Sequence, residues 1–422
     1  MNMHTAPQRT AAETALVDAF AARLAELPGD AAVAMKRDGA VERLKRGLPT
    51  RKVEAWHYTD LRRLLSTVPA HDATAHVERS DALVDGASVL ALLNGRAVGD
   101  APMLDGAAIG TVRERLVDGS LAELLGMAGD DDVVGALNAA FVADGWQIDI
   151  ADGAQIERPI EIQALHAGGQ SHQRVPVRVG AGARATIIER QSGEGAALVS
   201  SVSHLTVGEG ANVTWVILID QPDTATHLGQ FNAEIGANGA LTLFVMTTGG
   251  KLVRQEVRIK VAGEGADFTL RGCNLIAGDS HVDVTMALDH GVPSTTSTEV
   301  IRNIITDRGH GVFQGKIVVD RLAQKTDARM ACNTMLLSDD ADFSTKPELE
   351  IFADDVACGH GATVAEIDHS HLFYLMARGI DEKTARGLLV KAFLAEVIEE
   401  LDNEPIVEAL EARLDTWFAA HG

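Results

Sequence analysis

Four short stretches in the middle of the chain repeat one pattern and decide the fold: VGAGARAT at Val179–Thr186, VGEGANVT at Val207–Thr214, IGANGALT at Ile235–Thr242 and GEGADFT at Gly263–Thr269. Their closing threonines are separated by 28, 28 and 27 residues. Each stretch ends an alternating apolar and polar run, turns at glycine or asparagine, and continues as a new run. This pattern is typical of two strands per repeat, with a left-handed backbone residue at the corner.

A repeat of about 28 residues with two strands cannot bury its own apolar face, but stacked copies can. We therefore predict a parallel β-helix, right-handed because parallel crossovers favour that hand. Thr186, Thr214, Thr242 and Thr269 should then occupy equivalent positions on successive rungs, where a rung is one repeat of the stack. The alternative is an antiparallel sandwich with glycine-rich hairpins, although hairpin turns need not recur at fixed spacing. A left-handed hexapeptide solenoid would repeat about every six residues and fits poorly.

Apolar periodicity divides the chain into three predicted regions. Residues 1–145 carry mainly helical patterns, as in Ala11–Leu27. Residues 146–365 alternate with a period of two and form the predicted solenoid. Residues 366–422 return to a helical period and are expected to form a module suited to docking a partner. The expected fold class is therefore mainly β, with a right-handed parallel β-helix core flanked by N-terminal and C-terminal helical regions.

Composition restricts the function classes. Among 422 residues, 60 are acidic and 37 are Lys or Arg, and a net charge of −23 argues against binding nucleic acid. Apolar runs are far shorter than a bilayer span, so no integral membrane protein is expected. Three cysteines are too few for a disulfide framework or a four-cysteine cluster site. Because the first twenty residues also carry no secretory signal, we expect a cytoplasmic protein.

The sequence contains no phosphate-binding loop, no nucleophile elbow and no His-Glu-x-x-His metal helix. The remaining candidate site is Cys358 with His360, two positions apart on a predicted strand and therefore on one face. Their side chains suit iron or zinc, and the alternative is a buried cysteine beside a hydrogen-bonded histidine. Asp354 and Asp355 are expected to oppose thiolate formation, which leaves the neutral imidazole as the better ligand.

For the remaining thiols and titratable groups we expect ordinary positions in the core or on the surface. Four follow the candidate pair at the expected start of the last helical module: Glu366, Asp368, His369 and His371. For the two histidines we expect a solvated surface position. Cys273 and Cys332 stand alone in strand-like runs, where packing in the core is the expectation.

Several long segments, in order, carry a resemblance to a known family. The most specific is KPELEIFADDVACGHGATV at Lys346–Val364, and RKVEAWHYTDL at Arg51–Leu61 is a second. Shorter similar segments are ALNAAFVADG at Ala136–Gly145, GVFQGKIVVD at Gly311–Asp320, AQKTDA at Ala323–Ala328, YLMARGI at Tyr374–Ile380 and LLVKAF at Leu388–Phe393. Together they resemble the SufB/SufD family of the SUF iron–sulfur cluster assembly system. The signature Trp56-His57-Tyr58-Thr59 favours the SufD branch over the SufB branch.

The resemblance implies a scaffold subunit that acts with SufB and two copies of the ATPase SufC, so that nucleotide chemistry belongs to a partner. It implies that His360 takes part in cluster assembly at the SufB interface, where iron would enter, and that Cys358 is a nearby interface thiol. The expected cofactor is a transient iron–sulfur cluster whose ligands are completed by another subunit. Cluster type, sulfur route, and whether iron or a flavin is bound at rest stay open.

Two partner surfaces are expected. Open strand edges of a solenoid must be covered, so we expect a homodimer in isolation and a heterodimer with SufB in the cell. The apolar stripe of Leu389, Phe393 and Val397 either packs on the end of the solenoid or, as the resemblance implies, helps to dock SufC. A β-helix enzyme that modifies polysaccharides is the alternative function, disfavoured by an aromatic content of 4%.

Overall fold

The computed structural model describes residues 9–72 and 74–421. The expectation that the first twenty residues carry no secretory signal falls partly on residues 1–8, which lie outside this range. Within it, two long sheets face each other, an N-terminal helical layer covers the outer face of one sheet, and a C-terminal helical layer covers the outer face of the other. No helix of the described chain is long and apolar enough to cross a membrane.

The helices occupy the two ends of the sequence. They are α1 (Ala11–Arg23), α2 (Ala31–Lys45), α3 (Leu61–Leu64), α4 (Val112–Val117), α5 (Val133–Phe141), α6 (His369–Met376), α7 (Glu382–Ile398) and α8 (Glu404–His421), with short 3₁₀ turns at Glu54–Trp56 and Ala122–Leu125. Helix α1 begins where the Thr10 hydroxyl accepts the Glu13 N–H, while the Glu13 carboxylate accepts the Thr10 N–H. This reciprocal capping explains why the helix begins there.

Strands fill the middle of the sequence. They are β1 (Ser88–Leu93), β2 (Arg96–Val98), β3 (Ala107–Thr111), β4 (Asp144–Ile150), β5 (Ile160–His166), β6 (Gly169–Val179), β7 (Arg184–Gly193), β8 (Ala197–Val207), β9 (Asn212–Asp220), β10 (Thr226–Ile235), β11 (Ala240–Thr247), β12 (Leu252–Val261), β13 (Asp267–Ile276), β14 (His281–His290), β15 (Thr296–Ile305), β16 (His310–Val319), β17 (Asp327–Leu336), β18 (Asp342–Ile351) and β19 (Ala357–Glu366).

Successive strands alternate between the two sheets, as a solenoid requires. From β5 onward the odd-numbered strands pair in parallel up to β19 in one sheet, and the even-numbered strands pair in parallel up to β18 in the other. The first sheet also takes in β1 and β2, and the second begins with β3. The predicted parallel β-helix with helices at both ends is confirmed.

The threonine ladder lies in the predicted register. Thr186 pairs with Thr214, Thr214 with Thr242, and Thr242 with Thr269, and the ladder continues to Thr298. Four residues before each of the first four threonines, the backbone turns through a left-handed conformation. These corners are Gly182 (φ 64°), Gly210 (φ 63°), Asn238 (φ 53°) and Gly265 (φ 73°). Glycine and asparagine adopt this conformation at little cost, so the repeat is encoded at its corners.

Two kinds of apolar contact hold the layers together. Between the sheets, large side chains such as Trp215, Phe268 and Phe313 are fully buried. Outside them, Leu228 of the even-numbered sheet packs under the N-terminal helices, and Ile304 of the odd-numbered sheet packs under the C-terminal helices. The C-terminal helices therefore cover a face of the solenoid and leave its last rung uncovered.

The N-terminal region contains strands that helical periodicity does not reveal. Strand β1 already pairs in parallel with β5, and β3 pairs antiparallel with β4. The sequence of β1, SVLALL, is a continuous apolar run, which periodicity cannot distinguish from a helix. The division into residues 1–145, 146–365 and 366–422 stays a prediction.

Side chains of the signature at residues 56–59 contact the even-numbered sheet and connect the N-terminal region to it. The Arg254 guanidinium lies 3.9 Å from the centre of the buried Trp56 ring and pairs with the fully buried carboxylate of Asp283. The Thr59 hydroxyl donates to the same carboxylate and lies 2.9 Å from Nε2 of His281. Two members of the signature thus have structural contacts on the solenoid.

Candidate functional site at the last rung

The candidate pair lies on β19, the last strand of the odd-numbered sheet. On one side β19 pairs with β17, where Cys358 is opposite Ala328 and His360 is opposite Met330. Its other edge has no partner strand within the described residues. Ala328 is buried, and Met330 is only 3% exposed, inside the solenoid. Cys358 and His360 therefore continue ladders that face the interior, at the point where the stack stops.

The end of the stack forms a shallow cleft of about 460 Å³. It is lined by Arg329, Met330, Ala357, Cys358, Gly359 and His360. The Cys358 thiol is half-buried against the interior, and the His360 imidazole is exposed. One soft donor and one borderline donor thus share the same open end, as the strand periodicity predicts.

Burial raises the pKa of the Cys358 thiol, and the charges of Asp327 and Glu299 raise it further. The expectation that Asp354 and Asp355 oppose the thiolate is therefore wrong about which acids act. These two residues lie on the exposed turn before β19. Strand pairing instead places Asp327 opposite Ala357, directly before the thiol.

Glu299 is a member of the site neighbourhood that the sequence reasoning missed. It occupies the same ladder as His360, two strands deeper, with Met330 between them. Its side chain is fully buried, and neither oxygen has a hydrogen bond within the described chain. Burial raises its pKa to about 8, against smaller opposing effects of Ser297 and Arg271. The sequence feature that could have revealed Glu299 was an acidic residue at an inward position of an alternating strand.

The described residues contain no group of three or more His, Cys, Asp or Glu that could hold a metal ion. Cys358 and His360 offer two donors, whereas iron–sulfur clusters are normally held by four. An ion or cluster at this end would need further ligands.

The titratable residues that follow His360 in the sequence, from Glu366 to His371, do not line the cleft. Asp368 caps α6, where its Oδ1 accepts the N–H of Ser370 at 2.7 Å. His369 and His371 are exposed, and the nearest acids to them are Glu366 at 4.0 Å and Asp368 at 3.8 Å. They lie beyond the far end of β19, roughly 20 Å or more along the strand from His360. The solvated interpretation agrees with these positions.

Cys273 and Cys332 are buried, as expected. Cys273 faces the C-terminal helices, and Cys332 lies between the sheets with its sulfur 3.4 Å from the amide nitrogen of Asn303. Burial raises both thiol pKa values to about 12. Neither thiol is a nucleophile near neutral pH.

Apolar side chains surround the open end on its outer strands and turns. Ile351, Phe352 and Val364 are exposed in or beside the two terminal strands, β18 and β19, each of which has one edge without a partner strand in the described chain. Exposed apolar groups next to unpaired strand edges are typical of a surface that another chain covers.

The C-terminal apolar stripe faces the solenoid. Val397 is 1% exposed, and Leu389 and Phe393 are half-buried against the same cluster, with the Arg302 guanidinium 4.6 Å from the Phe393 ring centre. Packing on the solenoid, one of the two expected alternatives, therefore holds for Val397, and the docking role of the stripe stays a prediction. The exposed apolar side chains of the module lie elsewhere, at Phe373, Tyr374, Met376 and Leu388.

Comparison with known proteins identifies the family. Residues 162–393 match the family described as "SUF system FeS cluster assembly, SufBD core domain". The chain belongs to the SufBD family. The match covers more than half of the chain, from β5 to the middle of α7, and includes the last rung. The resemblance inferred from the short segments is confirmed.

Relatives within the SufBD family match over most of their length. The iron–sulfur cluster assembly protein SufD of Escherichia coli is 28% identical over 382 residues, covering 88% of this chain and 89% of the relative. A SufBD family iron–sulfur cluster assembly protein of Mycobacterium tuberculosis is 25% identical over 381 residues, covering 87% and 89%. The chain is therefore a SufD homologue of the iron–sulfur cluster assembly family.

Proposed function

We propose that this chain is a non-enzymatic scaffold subunit on which an iron–sulfur cluster is assembled at the last rung, in a cytoplasmic complex with SufB and SufC. The observation that carries the proposal is that the half-buried Cys358 and the exposed His360 share one cleft beside two unpaired strand edges. The family match favours this role over a polysaccharide-modifying enzyme.

A partner at the last rung completes both the structure and the ligand set. A second β-helix that abuts β18 and β19 would cover the exposed Ile351, Phe352 and Val364 and supply the missing donors. SufB is the proposed partner in the cell, and a second copy of this chain takes its place in isolation. Iron would enter at the interface between the two subunits.

His360 is the proposed indispensable group. A neutral imidazole binds iron without first becoming an anion, whereas burial and nearby acids disfavour the thiolate of Cys358. The thiol then has a supporting role at the same interface.

The C-terminal module is the proposed docking surface for SufC. Because Val397 packs inward, we assign the contact to exposed members of the module such as Phe373 and Leu388. Phe373→Ala and Leu388→Ala should weaken capture of SufC with little change in melting temperature. Val397→Ala is the matched control, since it should lower the melting temperature by removing a packed side chain. Loss of capture only in proportion to loss of stability would contradict the assignment.

The main test is anaerobic cluster build-up on the co-expressed complex. His360→Ala should reduce cluster formation at least tenfold while SufB and SufC still co-purify, and Cys358→Ser should be milder. His369→Ala is the matched control, because this histidine is also exposed near β19 but lies outside the cleft. Normal cluster formation by His360→Ala, or loss only through dissociation of the complex, would refute the ligand role.

A further inference from the structure

A cleft with an unusual charge lies on the N-terminal region, between α1, β2, α4 and β4, with a volume of about 510 Å³. It is lined by Arg23, Glu26, Leu27, Arg96, Ala97, Arg113, Ala143 and Asp144. Strand β2 stands at the opposite end of its sheet from β19, nine strand spacings away and so roughly 40 Å from the last rung. Three guanidinium groups converge here on a chain whose net charge is −23.

Arg23 is held in place but has unused donors. Its guanidinium lies 5.6 Å from the ring centre of the buried Phe141, which fixes its position. Nε and Nη1 are buried without a hydrogen-bond partner in residues 9–72 and 74–421. Buried donors without acceptors cost free energy, so an acceptor that enters the cleft would be bound favourably.

A buried histidine, His71, lies within electrostatic range of Arg23 and Arg96. Both of its ring nitrogens are buried, and no side chain of the described part of the chain bonds to them. Burial lowers the pKa of His71, and the positive charges of Arg23 and Arg96 lower it further, while the backbone of Gln170 and the charge of Glu26 oppose this shift. A neutral imidazole keeps one N–H donor, and a bound anion would also favour its protonated form.

Arg96 and Arg113 are exposed at the cleft, and neither side chain makes a hydrogen bond or ion pair to a described residue. Planar guanidinium groups present paired donors that match the geometry of phosphate oxygens. Both side chains are therefore available to a ligand.

The two acids of the cleft do not remove this preference. The Asp144 carboxylate already accepts the backbone N–H groups of Ala97 at 3.1 Å, Arg113 at 3.1 Å and Gly145 at 2.9 Å. It thereby holds β2 and α4 beside β4 and positions the mouth of the cleft. Glu26 is exposed, so three guanidinium groups oppose two carboxylates.

We propose that this cleft binds the phosphate group of a small phosphorylated molecule, held by Arg23, Arg96 and Arg113. Phosphate is favoured because it offers several acceptor oxygens to converging guanidinium groups. A molecule larger than phosphate itself is favoured because the volume lies within the range of ordinary small-molecule pockets. The inference is independent of the cluster-assembly proposal, since it concerns the other end of the solenoid.

The test is calorimetric titration of the full-length chain at low ionic strength with inorganic phosphate, pyrophosphate, ADP and adenosine. We expect saturable binding of the phosphorylated probes, tightest for ADP or pyrophosphate, and none of adenosine. Arg23→Gln and Arg96→Gln should each weaken binding about tenfold or more, as expected for loss of a charge-assisted contact. Arg184→Gln is the matched control, because this exposed arginine lies on β7 outside the cleft.

Thermal unfolding of each variant ensures that lost binding is not lost folding, and the exposed Arg96 provides a variant whose fold should be unaffected. Equal affinity for inorganic phosphate and ADP would assign the site to free phosphate while supporting the anion site. The inference is overturned by the absence of saturable binding of any phosphorylated probe, or by unchanged binding in both cleft variants.

Discussion

Ala328 and Cys358 are neighbours on one inward ladder, a single strand apart, and their surroundings differ completely. Ala328 is buried in the core, whereas Cys358 opens into a cleft. The next ladder repeats the contrast, with Met330 inside and His360 exposed. An inner strand has a neighbour on each side, while the last strand has only one. Position in the stack, rather than local sequence, therefore decides whether an inward side chain is buried in the core or exposed at the candidate site.

The contrast between the inner rungs and the last rung should be greatest in how much the truncation of a side chain lowers the free energy of unfolding. Phe268→Ala on β13 removes a fully buried ring between the two sheets of an inner rung and should cost about 3–5 kcal/mol. Ile351→Ala on the terminal strand β18 should cost less, about 1 kcal/mol, because that side chain is already 40% exposed. Denaturant unfolding of both variants measures the difference. Similar losses would show that the last rung is as tightly packed as the inner ones.

The outer face of the inner rungs provides the next test. Asp283→Ala leaves the buried Arg254 without its main carboxylate partner and should cost about 3–5 kcal/mol, partly offset by the remaining contact with Glu256. Glu234→Ala is the control, since its ion pair with Lys260 is exposed and should contribute less than about 1 kcal/mol. A small effect of Asp283→Ala would contradict the structural role assigned to the signature around Thr59.

Glu299 links the comparison to pH. Its pKa is about 8 in the folded protein against an ordinary 4.5, so the folded state retains a proton that the unfolded state has lost. Stability should therefore fall as pH rises between these values, by about 1.4 kcal/mol per pH unit. From about pH 6 to pH 7.5, the wild type should lose about 2 kcal/mol more than Glu299→Gln, measured by denaturant unfolding. Parallel pH profiles would mean that Glu299 is already ionised in the fold.

The smallest effect is expected at the apolar edge of the last rung. Val364→Glu places a charge beside the open edge of β19 and should weaken the proposed homodimer about tenfold, which corresponds to about 1.4 kcal/mol. Met103→Glu, at an exposed residue near the other end of the solenoid, should leave association unchanged. Sedimentation at several protein concentrations distinguishes the two outcomes. Equal association of both variants would place the dimer contact elsewhere.

Much of the architecture could be predicted because it is repeated locally. Each corner needs a residue that accepts a left-handed backbone, and each strand needs alternating side chains, so register from Thr186 to Thr269 follows from spacing alone. The shared face of Cys358 and His360 follows from the same period of two. Strand β1 was not predicted, because its continuous apolar run does not alternate between apolar and polar residues.

The amino-acid sequence was sufficient to predict the solenoid, its corners, the shared face of Cys358 and His360, and too few thiols for a four-cysteine cluster site. The packing of distant segments was needed to show that Asp327 and Glu299, rather than Asp354 and Asp355, act on Cys358, and that Val397 packs inward. It also brought Arg23, Arg96 and Arg113 together from distant parts of the chain. Backbone conformation and side-chain alternation are set by residues that are close in sequence. Burial and electrostatic partners instead depend on which distant strands and helices pack together, so the sequence pattern alone does not reveal them.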